Sequence, residues 1–330
     1  MKFVEKKKSV TVFSVLCIAG VIVAVLCCCG RYSHLHETRM ESIVPAVVED
    51  KENEYDTFNI LTCIRKLNGL YFMVDCYHDR ILYSDDPKTA PKDWKVMTRE
   101  IKHGHTIDSD GELYLCDDTE NNRVLVFREG EQGFEMTGEF KDIGVLPHFV
   151  VYDDKSHRFY VLSSMTGELY VFRNDDGEAV LEKKMGIKEL DGSYVRSFTI
   201  IDDEIYFVSG NMNIIKAGLS DLHIIERYPV DPSIGGMIQL EKIGDCFFIT
   251  VSTDADFNQD YATMISTRDL ASLAENDYET VYGTFEGGGT PYYIGKAGEH
   301  YYLTEHRLAD HQLWQFDVED DEIINVVSVN

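Results

Sequence analysis

The sequence has few basic residues for its length, which limits the partners that it can bind. Lysine and arginine together number 31, against 58 aspartate and glutamate, so the formal net charge is -27. A surface this acidic repels phosphate backbones and anionic lipid headgroups at long range. We therefore expect no nucleic acid among its partners, and the acidic pairs near predicted turns are typical of a solvated surface.

Several motifs that mark common enzyme classes are also missing. The chain has no Gly-x-Ser-x-Gly elbow, and no cysteine lies in a recognisable catalytic context. The run Gly287-Gly288-Gly289 lacks the Lys-Ser/Thr of a phosphate-binding loop, so it is interpreted as a sharp turn. No long apolar pattern with a helical period occurs after residue 29. These absences predict an all-β domain without a complete catalytic set.

The cysteines outside the N-terminal segment form no Cys-x-x-Cys pair, which leaves zinc-finger and thioredoxin-like sites without their usual spacing. Cys63, Cys76, Cys116 and Cys246 lie far apart along the chain. Isolated cysteines in strands usually behave as small buried apolar residues. A disulfide between Cys63 and Cys76 is the alternative, and the sequence leaves their redox state open.

An uncharged segment near the N-terminus predicts a membrane helix. Residues 9–29 carry no charge, and about 21 helical residues span the roughly 30 Å of a hydrocarbon core. Four lysines precede this segment and only Arg31 follows it closely, so residues 1–8 are predicted to stay in the cytoplasm. We expect a signal anchor with the rest of the chain outside. A lipoprotein modified within Cys27–Cys29 and a cleaved, secreted form are the alternatives.

The rest of the chain divides into a charged linker, residues 30–55, and a repetitive domain, residues 56–330. Each repeat pairs a strand such as Leu113–Asp118 with a second apolar run such as Arg123–Arg128. The pairs recur about 40 to 55 residues apart, a spacing typical of four-stranded propeller blades. Six such units fill the domain. The fold class is therefore predicted to be all-β, a six-bladed β-propeller preceded by one N-terminal transmembrane helix.

Residues 104–128 resemble an NHL repeat, with an Asp-Gly turn and an Asp-x-x-Asn-Asn-Arg corner between strands. The resemblance implies an NHL-like six-bladed propeller. Asp79 and Arg80 repeat this corner in the first unit, and later units keep only the strands. Short Asp and Asn side chains bond turn amides and tolerate a left-handed residue. We assign the corner a structural role, with Arg123 pairing with Asp117 or with a neighbouring blade; its residues are Asp117, Asn121, Asn122 and Arg123.

Alignment of the units places one residue per blade at the entrance of the central channel. These residues are His105, His148, Arg196, Met237 or Gln239, and Tyr292. Two imidazoles and a guanidinium at one opening are suited to a carboxylate or phosphate group. The alternative is that both histidines bond to neighbouring blades inside a filled channel. Arg196 requires an anionic partner in either case, from the protein or from a ligand.

The same two histidines raise the question of a metal. Peptide-amidating lyases are similar at this level, and that resemblance implies zinc bound by His105 and His148. The third histidine of such a site is missing, because Arg196 stands in its place. Gluconolactonase-like propellers instead bind calcium through acidic channel residues, and we find none at the starts of the inner strands. We predict no cofactor, with zinc or calcium as the alternative.

Glu305 and His306 follow the second strand of the last unit and complete the predicted channel-face set. They are interpreted either as an acid/base pair or as an ordinary polar corner. The sequence as a whole favours a non-enzymatic binding module that takes a glycan or a partner protein on this face. The alternative is a metal-assisted lyase or hydrolase that acts on a small anionic substrate.

Overall fold

The computed structural model describes residues 56–308 and 310–329. Within them, 24 strands form six four-stranded antiparallel sheets arranged as the blades of a propeller, as the repeats predict. The predicted transmembrane helix, residues 9–29, and the linker that follows it lie outside the described residues. In the described part of the chain, no helix is long and apolar enough to span a bilayer.

Each blade uses four consecutive strands, and the first strand of each blade lines the channel. The strands of blades 1 to 3 are β1 (Leu61–Leu67), β2 (Leu70–Asp75), β3 (Arg80–Ser84), β4 (Lys95–Thr98), β5 (Ile107–Ser109), β6 (Leu113–Asp118), β7 (Arg123–Gly130), β8 (Gly133–Phe140), β9 (Pro147–Asp153), β10 (Arg158–Ser163), β11 (Glu168–Asp175) and β12 (Glu178–Gly186). Those of blades 4 to 6 are β13 (Val195–Ile201), β14 (Glu204–Ser209), β15 (Asn213–Gly218), β16 (Ile224–Pro229), β17 (Met237–Ile243), β18 (Cys246–Val251), β19 (Thr263–Thr267), β20 (Glu279–Thr280), β21 (Thr290–Ala297), β22 (His300–His306), β23 (Leu313–Glu319) and β24 (Glu322–Ser328).

The loops between strands contain only short 3-10 helices in the described residues. These are Cys76–His78, Pro91–Asp93, Thr119–Asn121, Lys188–Leu190, Pro232–Ile234, Gln259–Tyr261, Leu270–Glu275 and Tyr282–Thr284.

Aromatic side chains from the middle strands form much of the core between blades. Phe72 of blade 1 lies with its ring centroid 5.4 Å from that of Tyr114 in blade 2. Tyr71 approaches Tyr302 across the junction of blades 1 and 6, with 6.3 Å between centroids. Such pairs add packing energy to a large buried apolar area. The middle strands are therefore buried on both faces, which gave them the strongest apolar pattern in the sequence.

A ring of side-chain hydrogen bonds joins successive blades around the channel. At the junctions of blades 3 and 4 and of blades 6 and 1, histidine rings donate to backbone carbonyls over 2.9 and 3.0 Å. The other junctions use hydroxyl and amide groups. The bonds, from blade 1 onwards, join Thr62 to Gly104, Thr106 to Val150, His148 to Arg196, Ser197 to Ile238, Gln239 to Ile294, and His306 to Leu61. This inter-blade ring satisfies polar groups that the channel would otherwise leave unpaired.

The corner motif has the structural role predicted for it, but one pairing differs. Asn122 and Asp79 adopt left-handed backbones with φ of 51° and 50°. Arg123 donates to Asp118 instead of Asp117, and also to Glu139 over 2.7 Å in its own blade. The prediction was wrong because adjacent strand residues face opposite sides. Asp118 faces the corner, and Asp117 faces the channel.

The four cysteines in the described part of the chain are buried free thiols. Burial raises the pKa of Cys63 to about 11 and holds the pKa values of Cys76 and Cys116 well above the usual range. Thiols that resist ionisation are poor nucleophiles. Their interpretation as small apolar core residues is confirmed.

Candidate functional site

A β-bulge near the start of the inner strand turns one extra residue towards the channel. In blade 4, for example, the register jumps between Val195 and Ser197, and Arg196 is the inserted residue. A bulge re-aims side chains in this way. The residues at this position are Thr62, His105, His148, Arg196, Ile238 and Tyr292. His105 belongs to the set by position, since it lies just before the short strand β5.

These six residues, which we call the channel mouth, line one cavity. The structure therefore brings together His105, His148, Arg196 and Tyr292. In blade 5 the position belongs to Ile238, so the alignment of Met237 or Gln239 was wrong by one residue. The cavity volume open to the centre of a water molecule is about 10 Å³. This is enough for one water molecule. Only the end of a ligand fits at this depth.

Four rings form a stacked row across the mouth. The centroids of His148 and His105 are 3.7 Å apart with 25° between the ring planes. Tyr292 lies 6.3 Å from His105 and 4.3 Å from His306, again nearly parallel. The row packs aromatic rings against one another along one side of the mouth.

A buried carboxylate fixes the orientation of His105. Asp117 accepts bonds from the backbone amides of His105 and Thr106, both over 2.8 Å, and from the hydroxyls of Thr106 and Thr119, both over 2.9 Å. Because the Thr119 hydroxyl donates to Asp117, the Nδ1–H of His105 must donate to Thr119 over 3.0 Å. Nδ1 of His105 is therefore the nitrogen held by the protein, and Nε2 is the one left for other contacts.

His148 and His306 are neutral members of the inter-blade ring. Burial lowers the pKa of His148 well below its usual range, and the neighbouring His105 and Arg196 lower it further. Burial likewise lowers the pKa of His306 to about 3. His148 thus bonds a neighbouring blade, as one interpretation of the sequence had it, whereas His105 bonds within its own blade.

Because His148 and His306 are buried as neutral rings, we expect the folded protein to lose stability in acid. An unfolded histidine titrates near 6.5, so the unfolded state binds more protons below that pH and stability falls as pH falls from about 6.5 towards 3. His306→Gln keeps an N–H donor for Leu61 but cannot become charged. Urea unfolding at pH 7.5 and pH 4.5 should show a drop about 1 to 3 kcal/mol smaller in this variant than in the unmodified protein.

His300→Gln is the matched control, because His300 is partly exposed and pairs with Asp317. Equal acid sensitivity of the unmodified protein and His306→Gln would contradict the assignment of His306 as a buried neutral ring.

Arg196 is the uncompensated charge of the channel mouth. Its residue surface is 9% exposed, and its guanidinium lies 5.3 Å from the ring centroid of Tyr194. Within residues 56–308 and 310–329, no carboxylate forms an ion pair with it. A nearly buried cation without an anion is destabilising by itself. The arrangement is therefore suited to an incoming negative group.

Glu305 and His306 do not form a pair. Adjacent residues of β22 point to opposite sides, so His306 joins the ring row and Glu305 faces the core of its blade. The Glu305 carboxylate accepts bonds from Tyr282 and Trp314, and burial raises its pKa. Glu305 thus anchors aromatic side chains away from the mouth.

The stacked imidazoles do not point at one shared metal position. In the described residues, no three His, Cys, Asp or Glu side chains are grouped to hold a metal ion. The nitrogen lone pairs of His105 and His148 lie in two ring planes that are stacked 3.7 Å apart and only 25° from parallel, so the two planes hardly converge near the rings. Zinc requires ligand nitrogens that converge within about 2.1 Å of it. Binding would require one ring to turn.

Charged residues that the strand starts do not reveal lie further along the inner strands. Arg65, Asp108 and Glu241 face the channel beyond the mouth. We had compared only the starts of these strands, where no acidic residue occurs. Arg65, Asp108 and Glu241 each lie three residues after the mouth residue of their strand, because the bulge adds one residue to the usual two-residue alternation.

No family model and no curated protein matches the chain. Solved structures with similar folds include a candidate 6-phosphogluconolactonase from Bacteroides uniformis, with 11% identity over 79% of this chain and 83% of that one, at a TM-score of 0.55. A protein from Lactobacillus plantarum has 14% identity over 76% and 77% of the chains, at 0.53. The β-propeller domain of Myceliophteria thermophila Swd1 has 9% identity over 82% and 86%, at 0.52. These likenesses show the fold alone.

Proposed function

We propose that this propeller is a binding module whose channel mouth holds a carboxylate of its ligand. The observation that carries the proposal is Arg196, which is nearly buried and has no acidic partner among the described residues. A carboxylate accepts two parallel bonds from a guanidinium, the strongest common pairing for this side chain. The ligand would thus supply the charge that the fold omits.

The shape of the mouth supports a ligand that enters only by its tip. The cavity has room for little more than a single small group. Tyr194 lies beside the guanidinium and Tyr292 lines the same cavity as Arg196, so aromatic side chains are available to the adjoining part of the ligand. An acidic side chain of a partner protein and an acidic sugar of a glycan both have this form.

The N-terminal segment places this binding face outside a membrane in our proposal. Residues 9–29 are uncharged and follow a lysine-rich start, which favours a signal anchor. A lipid-modified or secreted form is the alternative. Recovery of the full-length chain in the soluble fraction, without detergent, would contradict the anchor.

Calorimetric titration of the full-length chain in detergent tests carboxylate binding. Acetate and D-glucuronate are the probes, and D-glucose is the uncharged counterpart of glucuronate. We expect both carboxylates to compete for one site and glucose to leave that site free. Equal binding of glucuronate and glucose at the mouth would contradict the proposal.

A second candidate is a metal-assisted lyase or hydrolase, favoured by the hydrogen-bond chain from Asp117 through Thr119 to His105. This chain leaves Nε2 of His105 as a base beside the anion site. Elemental analysis of protein purified without chelator or metal resin tests the metal. From the ring geometry we expect less than one zinc or calcium per chain. Stoichiometric metal that is lost in the His105→Ala/His148→Ala double variant would favour the enzyme.

A further inference from the structure

A second group of polar side chains lies at the far end of the channel. Arg65, Asp108 and Glu241 sit on β1, β5 and β17, two inward-facing positions beyond the bulges. The layer between them and the mouth is closed by buried residues, namely Cys63, Thr106, Phe149, Ser197, Gln239 and Tyr293. The Arg65 side chain is nevertheless 22% exposed. Solvent must therefore reach this group from the face opposite the mouth.

On one side of this far group, every polar atom has a partner. Asp108 accepts the backbone amides of Ser109 over 2.9 Å and Tyr152 over 2.8 Å, and it pairs with Nη1 of Arg65 over 3.1 Å. Thr199 donates to the carbonyl of Leu240. These contacts are complete within the protein.

The other side, formed by blades 5, 6 and 1, is left unpaired. Nε of Arg65 is buried and has no hydrogen-bond partner. Among the described residues, the carboxylate of Glu241 and the hydroxyl of Tyr293 also lack one. Three adjacent blades thus present two donors and one acceptor to the same space. Native proteins leave few buried polar atoms unsatisfied, so the buried Nε of Arg65 requires an explanation.

Gly295 leaves room for the Tyr293 side chain. A Cβ added there would lie 2.4 Å from the Tyr293 hydroxyl and 2.8 Å from its Cζ. Any larger residue would therefore displace the ring or fill the space. The glycine allows the hydroxyl to reach the level of Arg65.

The charges of the far group disfavour an ionic ligand. Arg65 and Asp108 neutralise each other in an ion pair, and burial raises the pKa of Glu241 to about 7, so the far group presents little net charge to a ligand. A neutral ligand with neighbouring hydroxyls suits all three free groups, because each hydroxyl both accepts and donates. One hydroxyl accepts from Arg65 or Tyr293 while another donates to Glu241.

We propose that the far end of the channel binds the hydroxyl-bearing edge of a sugar or polyol, at a site separate from the mouth. Glucose, myo-inositol and glycerol represent free ligands, and maltotriose represents the end of a glycan chain. Saturation-transfer NMR and calorimetry on the full-length protein in detergent measure their binding. Binding of maltotriose at least as tight as glucose would assign the glycan source, and binding of the small polyols alone would assign the free one.

Three conservative substitutions remove the unpaired groups one at a time. Tyr293→Phe deletes only a hydroxyl, Glu241→Gln replaces the charge, and Arg65→Lys keeps a cation for Asp108 but removes Nε. Each is expected to weaken polyol binding about 3- to 10-fold. Tyr293→Phe should fold normally, since its hydroxyl has no partner to lose.

Arg196→Met is the control, and it should leave polyol binding unchanged while removing carboxylate binding at the mouth. The proposal for carboxylate binding at the mouth and the proposal for polyol binding at the far end can therefore be refuted independently. The far site is overturned if none of the four ligands binds, which would leave ordered water as its occupant. It is also overturned if Tyr293→Phe and Glu241→Gln bind as the unmodified protein does.

Discussion

Replacement of Arg196 by methionine is expected to stabilise the unliganded protein and to abolish its response to carboxylates. Methionine retains most of the apolar stem and removes a nearly buried charge that has no ion-pair partner in the described residues. Exchange of a buried ion pair for apolar residues of similar volume is often neutral or stabilising by about 1 to 4 kcal/mol. Because only one charged group is removed here, we expect the free energy of unfolding to rise by about 1 kcal/mol. Urea unfolding measures this change.

Carboxylate binding should change in the opposite direction. Hydrogen bonds to charged groups contribute about 1.5 to 3 kcal/mol each, so loss of the guanidinium should weaken acetate and glucuronate binding at least 10- to 100-fold. Arg196→Lys keeps a charge but cannot make two parallel hydrogen bonds to a carboxylate. It should bind carboxylates less tightly than the unmodified protein and more tightly than Arg196→Met. Arg227→Met is the control, since Arg227 is exposed and pairs with Glu189. A destabilised Arg196→Met protein that still binds glucuronate would contradict both parts.

Asp117→Ala is expected to be the most damaging single substitution near the mouth. Asp117 is fully buried and accepts four hydrogen bonds, two of them from backbone amides. Each buried donor that is left unsatisfied costs about 1 to 3 kcal/mol, so we expect a loss of about 3 to 5 kcal/mol in the free energy of unfolding. Urea unfolding monitored by circular dichroism measures this loss.

The control for Asp117 is Asp154→Ala, at an exposed position in the turn after β9. A surface substitution of this kind usually changes stability by less than about 0.5 kcal/mol. The remaining folded Asp117→Ala protein should also bind acetate less tightly, because Thr119 no longer holds His105 in place. A loss below about 1 kcal/mol would show that water replaces the carboxylate.

The middle strands of the blades were the part of the fold that the sequence predicts best. Strands such as β2, with Leu70 to Asp75, are buried on both faces and read as unbroken apolar runs. Outer strands are weaker signals, and β20 has only Glu279 and Thr280, both exposed. Blade number therefore followed from the middle strands alone. The outer strands form because their neighbours offer unpaired backbone groups, which no local pattern reveals.

The channel was predictable only as far as the strand register could be counted. His105 and His148 follow Gly104 and Pro147 in similar local sequences, so their shared position could be inferred. In blade 5 a bulge between Met237 and Gln239 turns Ile238 inwards instead. One inserted residue reverses which side chains face the channel. The same counting problem concealed Glu241 and Arg65, and the ion-pair partner of Arg65, Asp108, lies on another blade.

The chain runs directly from one blade to the next at five of the six junctions, but it does not run from blade 6 to blade 1. At that junction the contacts are side-chain packing and bonds such as those from His306 to Leu61 and from Gln312 to Phe58. In the described part of the chain, side-chain packing and hydrogen bonds therefore close the ring of blades at this junction. Separation of blades 6 and 1 would break none of the six sheets, because each sheet consists of four consecutive strands. His306 belongs both to this junction and to the ring row at the mouth. We therefore expect a ligand bound at the mouth to stabilise the contact between blades 6 and 1.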